Sequence, residues 1–137
     1  MKLTKNFSLD EFIYSDFFGE FQEDVLMSCQ ENESLLLPNI QKLAIQLQVL
    51  RDYINKPISI NIAYRPVWWE HKQKRSGGSQ HCLGNAADIV SKDYTPRELA
   101  QIIEHLISDS EMLQGGLSAY STFTHYDIGY NGRKRRW

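Results

Sequence analysis

At 137 residues, with 42% hydrophobic and 23% charged side chains, the chain has material for one packed core, residues 1–137 forming a single domain, and is unlike a disordered polypeptide. A formal net charge of −2 and a pI near 6.1 argue against a nucleic-acid partner, which normally selects a basic balance. Cys29 and Cys82 stand far apart and make no disulfide framework, so reduced thiols are expected.

Met1 to Asn6 lacks the apolar run of a secretory signal, and no segment is long enough to span a bilayer. Cytoplasmic synthesis without membrane insertion is therefore expected, and a monomer is the simplest state. Ser8-Leu9-Asp10-Glu11 has capping-box spacing and opens a short helix that buries Phe12 and Ile13. Ser15 to Glu33 is acidic and mixed, and reads as loop with a helical turn or two. Pro38 opens a longer helix, in which Ile40, Leu43, Ala44, Leu47, Leu50 and Ile54 form one apolar stripe. After Lys56-Pro57, the alternation of Ile58, Ile60 and Ile62 with polar or small residues predicts a half-buried strand.

Arg65 to Gly84 reads as a long loop, and a structureless stretch of that length is more often functional than idle. Ala86 to Val90 predicts a short buried strand carrying Asp88. Thr95-Pro96-Arg97-Glu98 is a second capping box, opening a helix whose apolar face is Leu99, Ile102, Ile103, Leu106 and Ile107. Gly115-Gly116 marks a turn before two short strands, about Leu117–Tyr120 and Phe123–Gly129. The basic run Arg133-Lys134-Arg135-Arg136 is expected to be a solvated tail, with docking on an anionic polymer as the sharper alternative. Together these elements predict an α+β domain: a small, mainly antiparallel sheet with helices packed on one face.

Chemistry concentrates in two stretches. Ser79 to Asp88 places His81 and Asp88 on either side of a glycine turn, and a carboxylate in an apolar strand needs a partner such as a metal ion. In Phe123-Thr124-His125-Tyr126-Asp127, residues 125 and 127 project from the same strand face. Two imidazoles and a carboxylate are a normal catalytic zinc set with a fourth position left for water. By spacing alone, a hydrogen-bonded histidine and a salt-bridged aspartate explain the same residues equally well.

The sequence resembles the zinc D-alanyl-D-alanine carboxypeptidases and related phage endolysins, peptidase family M15, in their small single-domain form. The resemblance is carried by Phe7-Ser8-Leu9-Asp10-Glu11-Phe12, by Leu50-Arg51-Asp52-Tyr53 with Lys56-Pro57-Ile58, and by Ala63-Tyr64-Arg65. It continues in Ser79-Gln80-His81 through Gly84 to Asp88, an SxHxxGxAxD pattern, and in Gly115-Gly116-Leu117, Tyr120 and His125-Tyr126-Asp127. It implies a hedgehog/D-Ala-D-Ala peptidase-like fold and one Zn2+ held by His81, Asp88 and His125, with Asp127 an alternative ligand to His125. The implied reaction is hydrolysis of a peptide bond in the peptidoglycan stem, as a D,D-carboxypeptidase or endopeptidase.

Relatives often carry the acidic general base three residues before the last ligand, where this chain has Thr122. Asp127 is the remaining candidate for proton transfer, with orientation of an imidazole as its other candidate role. Arg65 matches the family's substrate arginine, which binds a terminal carboxylate or stabilises the developing oxyanion. Ser79 stabilises the loop beside the ligands at the substrate site, and Tyr120 and Tyr64 are candidates to line the cleft. Trp68 and Trp69 are candidates for a substrate wall, while Cys82 is expected to be a buried thiol, and His71 and His105 to take no part. Acting on the wall after release, or within a phage particle, fits a chain without a signal sequence. A non-catalytic wall-binding or virion module, and a cytoplasmic dipeptidase, are the competing expectations.

Overall fold

The apolar stripe from Ile40 to Ile54 is the buried face of α3 (Glu33–Ile54), a 22-residue helix and the longest element of the computed structural model, which describes residues 1–137. Leu43, Ala44, Leu47 and Leu50 have no exposed surface. Asn55 ends the helix in the left-handed conformation, its N–H donating to the Arg51 carbonyl. The helix starts five residues before Pro38, so the proline lies inside it. That is tolerated because Pro38 and Ser34, whose carbonyl loses its partner, are both exposed and water can replace the missing N–H.

Before α3 come α1 (Asp10–Ile13), a 3-10 segment (Asp16–Phe21) and α2 (Gln22–Glu31). Residues 15–33, expected as loop, are therefore largely helical. Phe18, Val25 and Cys29 are buried there, and these few anchors in an acidic stretch give only a weak periodic signal. Ser8 and Glu11 form half a capping box: the Glu11 carboxylate accepts from the Ser8 N–H at 2.7 Å, with no side-chain cap in return. At Thr95 the box is complete. It opens α5 (Pro96–Ser108), which buries Leu99, Ile103 and Leu106.

Five strands form one open, mixed sheet in the order β1-β2-β4-β3-β5: β1 (Ser59–Ile62), β2 (Ala86–Val90), β3 (Gly116–Ala119), β4 (Thr124–Asp127) and β5 (Arg135–Arg136). All neighbours pair antiparallel except β3 and β5, which pair parallel. The fold is thus α+β. A bulge interrupts β1 at Asn61, whose carbonyl accepts from the Ser15 hydroxyl at 2.7 Å.

Strand alternation divides the sheet into two faces. Ala87, Ile89, Leu117 and Tyr126 join a core cluster with Leu47 and Leu50 of α3 and Leu99 and Ile103 of α5. Asp88, His125, Asp127, Gly116 and Ser118 point the other way, and register sets Asp88 opposite His125, with Ser118 on its other side. No helix is long and apolar enough to cross a membrane.

Two further expectations are corrected. The stretch 65–84 is not a structureless loop: it contains α4 (Val67–Lys72) and a 3-10 turn (Gln80–Leu83), both too short to show a period. The basic run is not a free tail, because residues 135–136 are the edge strand β5.

Candidate metal centre

His81 reaches the sheet from the 3-10 turn. The Ser79 hydroxyl opens that turn by accepting from the His81 N–H at 3.1 Å. Gly84 closes it at φ +74°, where a Cβ would meet the Ile40 side chain at 2.9 Å, so the turn seats directly on α3. Two bonds tie the turn to the end of β1. The Arg65 N–H donates to the His81 carbonyl at 3.1 Å, and His81 Nδ1 lies 2.7 Å from the Ala63 carbonyl oxygen. A carbonyl only accepts, so Nδ1 carries the proton and Nε2 presents its lone pair to the sheet.

His81 Nε2 is 3.3 Å from Asp88 Oδ1, and His125 Nδ1 is 3.1 Å from the same oxygen. One donor atom from each of His81, Asp88 and His125 lies within 4.8 Å of the other two, although 37 residues separate Asp88 from His125. All three side chains are buried. Burial holds His81 below its ordinary pKa against the pull of Asp88, so its neutral, ligating form is favoured. Burial alone would raise the Asp88 carboxyl, but the two imidazoles beside it, His125 first and then His81, outweigh it and keep it well below the usual carboxylate range. For His125 burial is outweighed by Asp127 and Asp88, and its pKa is raised. A ring between two carboxylates protonates when no cation is near, and a cation at Nδ1 takes the place of that proton. The donor set therefore fits a divalent ion with nitrogen and oxygen preference.

Asp127 lies behind His125. Its Oδ2 accepts from His125 Nε2–H at 2.7 Å, while Oδ1 accepts from the Gly116 N–H at 3.0 Å and pairs with the Arg135 guanidinium. Burial works against its charge, and these partners, His125 first, lower its pKa nonetheless. Gly116 has to be glycine, since a Cβ there would run into the Asp127 carboxylate.

Arg65 opens onto a cleft of about 350 Å3 lined by Asn61, Trp69, Arg75, Asp88 and Phe123. Its Nη2 is 3.2 Å from Glu70 Oε1 and donates to the Ser79 hydroxyl at 3.4 Å. Glu70 is buried and also accepts from Arg75 Nε at 2.5 Å, so one carboxylate clamps two guanidinium groups. On the other side of the triad, a hollow of about 160 Å3 is bordered by Ser79, His125, Asp127, Arg135 and Trp137. The largest groove, about 470 Å3, includes Ser79, Tyr64, Trp68 and Cys82 but none of the three triad residues, so size does not mark the chemical centre here.

The residues singled out from sequence separate clearly in space. His81, Asp88 and His125 converge, Asp127 is one step behind, and Arg65 and Ser79 border the hollows. Tyr120 stands further out: its hydroxyl accepts from Trp137 Nε1–H at 2.6 Å and its ring stacks on Phe123. Thr122 is exposed, and Tyr64 is buried in the core. Trp69 lines the Arg65 cleft and Trp68 the largest groove, and both are held by other contacts. Trp69 packs edge-on against Phe18, and Trp68 donates its indole N–H to the Ser28 hydroxyl at 2.8 Å. Cys82 is partly exposed rather than buried, because the helical turn rotates it outward instead of alternating it inward. His71 bonds the Ser76 carbonyl, and His105 pairs with Asp109 on the exposed side of α5.

Glu70, Arg135 and Trp137 escaped the sequence reading. Spacing of five residues in Arg65–Glu70–Arg75 was the one available sign of the clamp, while residue type alone does not mark Arg135, which meets Asp127 eight residues before it, or Trp137, which meets His125 and Tyr120. No curated protein matches the chain. The family model described as Peptidase M15 matches residues 11–127, a segment that spans α1 to the end of β4 and contains every donor of the triad. The chain belongs to the peptidase M15 family.

Proposed function

We propose that the protein is a zinc-dependent peptidase acting on the peptide stem of peptidoglycan, with His81, Asp88 and His125 as the ligands of one Zn2+. The observation carrying this reading is the convergence of three donor atoms within 4.8 Å, with the His81 proton fixed away on Ala63, in an M15 chain. A zinc ion held there supplies a water of lowered pKa and polarisation of a peptide carbonyl.

The protein's own side chains orient and bind. Asp127 keeps a proton on His125 Nε2 and so directs Nδ1 toward the site. Because both of its oxygens are engaged, Asp127 serves this reading better as a positioning residue than as a proton shuttle. Arg65, fixed by Glu70, faces the cleft beside Asp88, where a guanidinium binds a substrate carboxylate or a developing oxyanion. Whether the enzyme trims a terminal D-alanine or cuts within the stem is decided by products. Incubation with defined muropeptides, with and without chelator, read by mass spectrometry, is expected to give chelator-sensitive cleavage, and unchanged masses overturn the proposal. His81→Ala is expected to lose stoichiometric zinc, measured by elemental analysis, and to lower cleavage by roughly two orders of magnitude or more.

One observation favours a second reading, a non-catalytic wall-binding or virion module. Thr122 supplies no carboxylate, and the buried acids nearby, Asp127 and Glu70, are already paired with arginines. Bound zinc without product, together with retention on purified wall, is the result that selects it.

A further inference from the structure

Strand β5 follows the segment matched by the family and nevertheless borders the metal centre. Three anchors hold it. The Arg135 N–H donates to the Gly115 carbonyl at 3.0 Å. The Arg136 guanidinium binds both Glu104 oxygens, at 2.8 and 2.7 Å, and the Gly115 carbonyl at 2.7 Å. The Ser118 hydroxyl donates to the Trp137 main-chain oxygen at 2.6 Å.

Held in this way, two side chains turn toward the site. The Arg135 guanidinium pairs with Asp127, which in turn fixes His125. The Trp137 indole stands 5.0 Å from the His125 ring, at 58° to it, and its N–H is fixed on the Tyr120 hydroxyl. Trp137 remains 57% exposed and borders the 160 Å3 hollow with His125 and Ser79. A large aromatic that stays this open gains little from burial, while its fixed orientation gives the hollow a flat apolar wall.

We propose that the segment Arg135–Trp137, β5 and the residue after it, is a working part of the site: Arg135 is a positioning residue that acts through Asp127 on His125, and Trp137 is a substrate-contacting wall of the hollow over His125. This rests on the reading of His125 as a zinc ligand, and on peptidoglycan fragments as what the site receives.

The test uses the full chain with Arg135→Ala, Arg135→Lys, Lys134→Ala, Trp137→Ala and Trp137→Phe. Zinc affinity is read by competition with a chromophoric chelator. Arg135→Ala is expected to weaken zinc binding roughly ten-fold or more, Arg135→Lys to recover most of the loss, and Lys134→Ala, which removes the same charge from an exposed neighbour, to match wild type. Trp137→Ala is expected to raise KM for soluble peptidoglycan fragments several-fold, or their Kd if they bind uncut, with kcat and zinc affinity moving much less; Trp137→Phe keeps near-wild-type values. Equal zinc affinity in wild type, Arg135→Ala and Arg135→Lys overturns the positioning role. So does an equal loss in Lys134→Ala. An unchanged KM or Kd in Trp137→Ala overturns the wall. Wild-type protein that takes up no zinc overturns the metal reading and the Arg135 role together, whereas wild type that binds zinc while these variants match it overturns the role of Arg135–Trp137 alone.

Discussion

Asp127 has no exposed surface, and its oxygens are divided among the His125 ring, the Gly116 amide and the Arg135 guanidinium. Three directional contacts on a buried carboxylate leave it one rotamer, and that rotamer sets the plane of the imidazole. The absent side chain at position 116 is part of the arrangement. Gly116→Ala places a methyl group against the carboxylate, so we expect a destabilisation of roughly 1–3 kcal/mol together with weaker zinc binding. Urea unfolding and chelator competition check the two effects. A stable Gly116→Ala protein with wild-type zinc affinity would show that the Asp127 rotamer is not what fixes His125.

Elements differ in how openly the sequence declares them. Helix α5 is announced by its complete capping box and proline at the first turn, and the structure places Pro96–Ser108 there. Thr95→Ala removes the cap from an exposed helix start and should lower stability by about 1 kcal/mol, measured by thermal or urea unfolding, with zinc content unchanged. The stripe of α3 and the apolar run of β2 were equally legible, because burial leaves a pattern in residue type. Helix α2 and the 3-10 turns were not, since two or three buried anchors in a short piece establish no period. In the site, His81, Asp88 and His125 could be named from residue type and order, but their convergence depends on β2 pairing β4 in a register that residue type alone does not specify. Strand β5 was invisible for a stronger reason: four basic residues in a row look like a solvated segment, and what seats Arg135 and Arg136 lies outside the run, namely the Gly115 carbonyl, Asp127, and Glu104 on α5, which pairs with Arg136. That pairing has a pH signature. Arg136 holds the Glu104 carboxyl below its ordinary 4.5, so the contribution is complete above that value and is lost as pH falls through the depressed one. Glu104 is 45% exposed and screened by solvent, which limits the effect to about 1 kcal/mol or less. The stability difference between wild type and Glu104→Gln should therefore be present at neutral pH and vanish in acid, as followed by urea midpoints.

At the scale of the whole molecule, the triad joins the 3-10 turn after α4 to the adjacent strands β2 and β4, so a cation bound there crosslinks segments that are far apart in sequence. Zinc at about 100 times its Kd should stabilise the fold by roughly 2.7 kcal/mol through mass action, raising Tm by roughly 10 °C for a domain of this size. Calorimetry before and after chelation measures it, and an unchanged Tm would mean that the three side chains do not share an ion. The order of β4 and β5 after α5 also bears on synthesis. A nascent polypeptide that has emerged through α5 already displays His81 and Asp88, yet lacks the third donor and the arginine behind it. A cation that needs all three donors is therefore held only once β4 has followed the helical core out of the ribosome.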